Sequence, residues 1–235
     1  GAGSSGSQIA DELLRAGRKV YLSIGPHDRP PRSYRGKDFV WWLGKLGKWQ
    51  MKTPPIGKDH VTIAVSGAYG GKTVDFREFA SRGMVLLGMS EAYENGVITI
   101  AGDLEKNIAD GDAYYLGLLA EADEYIKAND LDFPAEEEAK IIMPDPDCLA
   151  KPIRQLELEK AGIRTILWAT GYQQDFSWLK ADVFDDQNQP VHKKGVTNVN
   201  GVYFLGLPWL TMRGSSFIWG VWEDAKYLAG YIAKS

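Results

Sequence analysis

Three glycines open the chain. Gly1, Gly3 and Gly6 in GAGSSG have the G-x-G-x-x-G spacing. That spacing lets backbone close on a pyrophosphate at the start of a helix. Ser4 and Ser5 complete the turn, and the residues after it place Ile9, Leu13 and Leu14 on one helical face. In a dinucleotide site, an acid about 20 residues beyond the glycines holds the ribose 2′-hydroxyl. Here that position falls in VYLSI, residues 20–24, which has no Asp or Glu; Ser23 is its polar residue. Arg29, Arg32 and Arg35 follow closely. A missing carboxylate beside arginines favours a 2′-phosphate, and so NADPH over NADH.

Two later stretches have the character of ligand-facing turns. ILWATGYQQDFSWL, 166–179, reads as a strand running into Ala169, Thr170 and Gly171, small residues where backbone can approach a ligand, with Tyr172 and Trp178 beside them. GVYFLGLPWL, 201–210, reads as a strand ending in Pro208 and Trp209. Trp41, Trp42 and Trp49 read as core or interface aromatics.

Other chemistries lack their residues. There is no G-x-S-x-G elbow, no H-E-x-x-H and no C-x-x-C. His27, His60 and His192 are far apart, so no metal site is expected. None of the eleven tyrosines has a lysine four residues later. GAYGGKT, 67–73, is one residue short of a P-loop.

The elements that would hold these residues alternate, which predicts an α/β fold. Helices are expected over 4–16, 39–49, 74–83, 103–129 with an interruption at Asn107–Gly111, 153–161 and 215–233. Strands are expected over 18–24, 60–68, 162–171 and 201–210, with a hairpin turning at Asn95-Gly96. Four prolines in 131–152 suggest a boundary near 140. Twenty-seven Lys and Arg against 31 Asp and Glu give a net charge of −4, with no basic block to suit nucleic acid or an anionic membrane. The single Cys148 fits a reducing, cytoplasmic setting. The expected partner is a small-molecule substrate, and a homo-oligomer is compatible with this composition.

Taken in order, the GAGSSG turn, the ATGY segment and the C-terminal GVYFLGLPWLTMRGSSFIWGVWEDAKYLAGYIA resemble the flavin-containing monooxygenases. TIAVSGAYGGKTVDFREFASRGMVLLG resembles their bacterial flavoprotein branch. The resemblance covers nearly the whole chain. It implies a Rossmann-like NADPH-binding domain over 1–140 and the C-terminal part of an FAD-binding domain over 141–235. The implied cofactors are FAD and NADP, and the implied reaction oxygenates a small nucleophile or ketone through a flavin C4a-hydroperoxide. It also implies that Arg213 and the amides of Ser215, Ser216 and Phe217 face the pyrimidine edge of reduced flavin. The family's first glycine motif and its F-x-G-x-x-x-H fingerprint are not in this sequence. The resemblance is therefore to the C-terminal part of a longer flavoprotein, with the strand before Gly1 and the FAD adenine pocket expected upstream and weak retention of both FAD and NADPH expected for this part alone. A flavin-dependent reductase without oxygenation, or a non-catalytic nucleotide-binding module, are the alternatives.

Overall fold

The computed structural model describes residues 1–53 and 62–234. These fall into two compact units, residues 1–42 with 62–171 and residues 43–53 with 172–234. The architecture is mixed α/β with small sheets.

Helix α1 (Ser4–Arg15) starts directly after Gly3 and buries Gly6, Ser7 and Ala10. Gly17, at φ 71°, then turns the chain in the left-handed conformation that glycine adopts without strain. Strands β1 (Tyr21–Ser23) and β2 (His27–Asp28) follow, then a small hairpin of β3 (Ser33–Tyr34) and β4 (Lys37–Asp38), and helix α2 (Phe39–Lys45). Of the strand expected over 60–68, Thr62–Ile63 form β5, and residues 60 and 61 lie outside the described residues. Helix α3 (Phe76–Ser81) is capped by the Asp75 side chain, which accepts from the Arg77 backbone N–H. Next come β6 (Val85–Leu87), β7 (Ser90–Glu94) and β8 (Val97–Ile100), then helix α4 (Leu104–Ala128).

Strand β1 pairs with β6 in parallel, Ser23 opposite Leu87, and β2 pairs with β5 in parallel, His27 opposite Thr62. Leu22, Ile24, Phe76, Leu86, Leu104 and Ile108 form the apolar core that these elements share. The hairpin of β7 and β8 turns at Asn95 and Gly96, both at positive φ, as a two-residue turn requires. Every residue of β7 is exposed.

Three expectations fail in the first unit. Helix α4 is continuous through 107–111: Asn107 and Ile108 are buried, and the Asn107 amide donates to the Ile24 carbonyl at 3.0 Å, so tertiary contacts override weak local propensity. After the short helix α5 (Asp147–Ala150), the expected helix over 153–161 is instead strand β9 (Gln155–Glu157), drawn into the sheet because Leu156 packs with Leu87 and Ile100. Residues 162–171 form no paired strand, although Gly171 takes φ 92°.

In the second unit, Val183, Phe204 and Leu210 form the core, with Phe176 and Phe184 stacked around Phe204. GVYFLGLPWL forms no full strand, only a bridge from Tyr203 to Val196. Residues 213–216 make a single 3-10 turn, and helix α6 (Val221–Ile232) begins later than expected.

Candidate functional site

The glycine turn is defined by what a side chain would strike. A Cβ on Gly1 would collide with the Ala169 carbonyl, and one on Gly6 would collide with the Gly1 carbonyl and come within 3.4 Å, close contact, of the Ala169 methyl. A Cβ on Gly3 would lie 2.8 Å from the Thr62 methyl. The fold thus brings two stretches far apart in sequence, 1–6 and 169–170, into one place. Two serines fasten the turn: Ser7 Oγ donates to the Ala2 carbonyl at 2.9 Å, and Ser4 Oγ to the Ile63 carbonyl at 2.9 Å. Ser5 is exposed. Ser7 was not anticipated from sequence; an inward serine one residue past the last glycine was the available signal.

Helix α1 has no acidic residue in its first turn and no side-chain cap. Its leading N–H groups and positive dipole end therefore keep their capacity for an anion. With a close-approach turn of glycines in front of it, this donor set fits the pyrophosphate of a dinucleotide.

Ser23 ends β1 beside that turn's helix. Its hydroxyl donates to the Gly88 carbonyl at 2.9 Å. The three arginines each face a carboxylate. Arg29 is buried and meets Asp112 at 2.6 Å, with its guanidinium 4.4 Å above the Tyr115 ring. Arg77, also buried, holds the other oxygen of Asp112 at 2.5 Å and reaches Asp145 at 2.7 Å. Arg35 takes φ 49° and meets Asp123 at 2.8 Å. Arg32 meets Asp38 at 2.5 Å, but its side chain is 27% exposed against 4% for Arg29. Of the four cations, Arg32 has the most open side chain. These pairings span dozens of residues for Arg29 and Arg35 and left no mark in the sequence.

Thr170, Gly171 and Tyr172 are exposed, Tyr172 completely.

In the second unit, the loop holding Pro208, Trp209 and Arg213 is clamped from several sides. Trp209 takes φ 56°, a left-handed conformation that costs a bulky residue energy and persists only where the surroundings enforce it. Thr53 Oγ1 donates to the Trp209 carbonyl at 2.6 Å. The Arg213 N–H donates to the Met51 carbonyl at 2.8 Å and the Gly214 N–H to the Trp49 carbonyl at 2.9 Å. Buried Ser215 accepts from the N–H groups of Thr211 and Met212, both at 3.1 Å. The Thr211 hydroxyl donates to Asp224, whose second oxygen is buried without a partner among the described residues.

The expected amide cradle at 215–217 is different in detail. The Ser215 N–H donates to the Met212 carbonyl at 3.1 Å and the Phe217 N–H to the Gly214 carbonyl at 3.0 Å, while Ser216 is exposed. Glu223 and Asp224 already occupy the first turn of α6, so that helix start repels a further anion. Beside it, Trp49, Gln50, Met212, Trp219 and Trp222 line an open cleft of about 360 Å³. Among the described residues, no helix is long and apolar enough to cross a membrane.

Comparison with known proteins bears on what this arrangement serves. Over 232 residues, 97% of the chain, it is 30% identical to a protein of Geobacillus kaustophilus (strain HTA426) named uncharacterized oxidoreductase CzcO-like, and the match covers 49% of that protein. Two proteins named uncharacterized oxidoreductase CzcO, from Bacillus velezensis and Bacillus subtilis (strain 168), are 42% and 40% identical over 67 residues, which is 28% of the chain and 19% of each relative. Its homologues carry the name oxidoreductase. The chain spans about half the length of the Geobacillus protein. No protein-family model and no solved structure matches it.

Proposed function

We propose that this chain is part of an FAD- and NADPH-dependent oxidoreductase that oxygenates a small organic nucleophile or ketone. The observation that carries the reading is the seating of the GAGSSG turn against Ala169, two motifs far apart in sequence that converge ahead of an uncapped helix. The oxidoreductase name of the homologues supports the reaction class. Flavin and nicotinamide, when bound, supply hydride transfer and reaction with O₂, chemistry that no side chain here needs to perform.

The chain's own residues position and enclose. The first N–H groups of α1 would hold the pyrophosphate, and Gly3 lets the turn in front of them pack closely on the Thr62 methyl. Ser7 and Ser4 keep the turn from relaxing. Ser23 stands at the ribose, and Arg32 is the arginine open enough to reach a 2′-phosphate. Arg29 and Arg35 act one step back, tying α4 to the chain after β2 and to the turn between β3 and β4. The loop with Trp209 and Arg213 borders the flavin ring.

Titrating the 235-residue chain with NADPH, NADH and FAD tests this reading. NADPH is expected to bind more tightly than NADH, and Ser5→Glu, which sets a carboxylate at the anion-binding helix start, is expected to weaken both. A folded chain that binds none of the three defeats the proposal.

A further inference from the structure

The ring of His27 is the one buried titratable group of the first unit whose polar atom has no partner among the described residues. His27 is 5% exposed. Its Nδ1 lies 2.9 Å from the Gly25 carbonyl. A carbonyl only accepts, so Nδ1 carries the proton and Nε2 of the neutral ring is a bare lone pair. That Nε2 faces the backbone of α4 at Gly111, where a Cβ would collide with it. The Phe76 ring of α3 closes another side, edge-on, with centroids 5.0 Å apart.

We infer that His27 is an acid-sensitive latch: the neutral ring lets α4 lie against β2, and a proton on Nε2 releases the helix.

The reason is steric and electrostatic together. A proton on Nε2 would point an N–H into the α4 backbone at Gly111, whose carbonyls serve the helix. From the chain after β2 comes Arg29, which opposes protonation. From α3 comes the uncharged Phe76 ring, while Arg77 of that helix is turned to Asp112 and Asp145. From α4 come Asp112 and Asp110, which favour it. Asp112 is already gripped by Arg29 and Arg77, and Asp110 is paired with Lys106, so neither carboxylate is free to balance a third buried cation. Burial is the dominant influence on the imidazole and holds it below its ordinary value of 6.5.

The sign follows. The unfolded chain takes up a proton near pH 6.5, and the folded chain resists. The packing of α4 on β2 is fully present above that value and weakens as pH falls below it. The effect reaches the glycine turn by a short route: His27 is paired with Thr62, the Thr62 methyl backs Gly3, and the neighbouring Ile63 carbonyl holds Ser4. Only this last consequence, for nucleotide binding, rests on the function proposed above.

Hydrogen exchange of the full chain is the test, read at the amides of residues 104–112 at about pH 7.5 and about pH 5.5, with intrinsic rates removed. Between these values histidine is the side chain that ordinarily titrates. Wild type is expected to exchange faster at the lower pH, by at most about tenfold, the ceiling that one pH unit below 6.5 sets. His27→Gln and His27→Phe are expected to show no such change; either variant suffices if the other fails to fold. Equal acceleration in wild type and variant overturns the latch, and so does a wild-type helix that stays equally protected. An NMR titration in which the His27 ring titrates at or above 6.5 overturns it as well. If the chain binds NADPH at about pH 7.5, that affinity should fall across the same window in wild type alone. A chain that binds no nucleotide fails the proposed function while leaving the exchange result to decide the latch.

Discussion

The Arg29 guanidinium meets the Asp112 carboxylate at 2.6 Å, with 4% and 13% of the two side chains exposed. Arg77, which also reaches Asp145, takes the other oxygen, so one carboxylate ties together two buried cations from different parts of the fold. Replacing it should therefore cost more than a surface ion pair. Asp112→Ala is expected to destabilise the chain by about 3–5 kcal/mol, the range for stranding buried charge. Urea denaturation measures it, and a loss below about 1 kcal/mol would show that the cluster is more solvated than its burial indicates.

The arginines also separate two roles. Arg32→Ala should weaken NADPH binding by about 1.5–3 kcal/mol, the range for charge-assisted hydrogen bonds, and leave NADH binding nearly unchanged. Arg29→Ala should lower stability first, because that side chain is held in the interior by Asp112 and the Val74 carbonyl. Paired denaturation and nucleotide titrations distinguish the two outcomes. Equal NADPH and NADH losses in Arg32→Ala would remove Arg32 from the 2′-phosphate.

Much of this was legible in the sequence, and the failures have identifiable causes. Asn95-Gly96 announced its hairpin because a two-residue turn admits few residue types. The apolar spacing of Ile9, Leu13 and Leu14 marked α1 as a helix but not its inward face, since Ile9 and Leu13 are exposed and Gly6, Ser7 and Ala10 are buried. The interruption expected at Asn107–Gly111 was wrong because Gly111 and Asn107 answer to His27 and Ile24, neighbours that no local pattern encodes. Leu156 became part of a strand because β8 was there to receive it. The carboxylate partners of Arg29 and Arg35 lie 83 and 88 residues away, so spacing along the chain could not separate a buried arginine from an open one.

Asp123 sets an acid limit on the first unit. Burial pushes its carboxyl up, but bonds from Lys140, Arg35 and the Tyr34 hydroxyl outweigh that and hold it below its usual 3.8. A carboxylate with a depressed folded value stabilises above the unfolded value, and that contribution is lost as pH falls through the folded one. Urea midpoints of wild type should thus fall from about pH 4 downward, and Asp123→Asn should flatten that limb. Parallel curves for the two proteins would place the acid sensitivity elsewhere.

Among the described residues, Thr211 bonds one oxygen of the buried Asp224 carboxylate and the other oxygen has no partner. Thr211→Val keeps the shape and removes the donor. The expected cost is about 1.5–3 kcal/mol, the range for hydrogen bonds to charged groups. Tryptophan fluorescence is the suitable probe, since Trp49, Trp209, Trp219 and Trp222 lie in the same unit. An unchanged melt would mean that Asp224 finds another donor once Thr211 is lost.

The sheet of β7, β8 and β9 has an open edge on each side. Open edges invite the addition of strands from other molecules. On one side the edge is the three-residue β9, too short to template a partner. On the other it is β7, where Glu91 and Glu94 stand exposed. A second copy docking there through its own β7 would add two more exposed carboxylates to the same edge. The sheet therefore carries its own stop signals at both ends, brevity at one and repulsion at the other, and growth by repetition of this chain is discouraged at neutral pH.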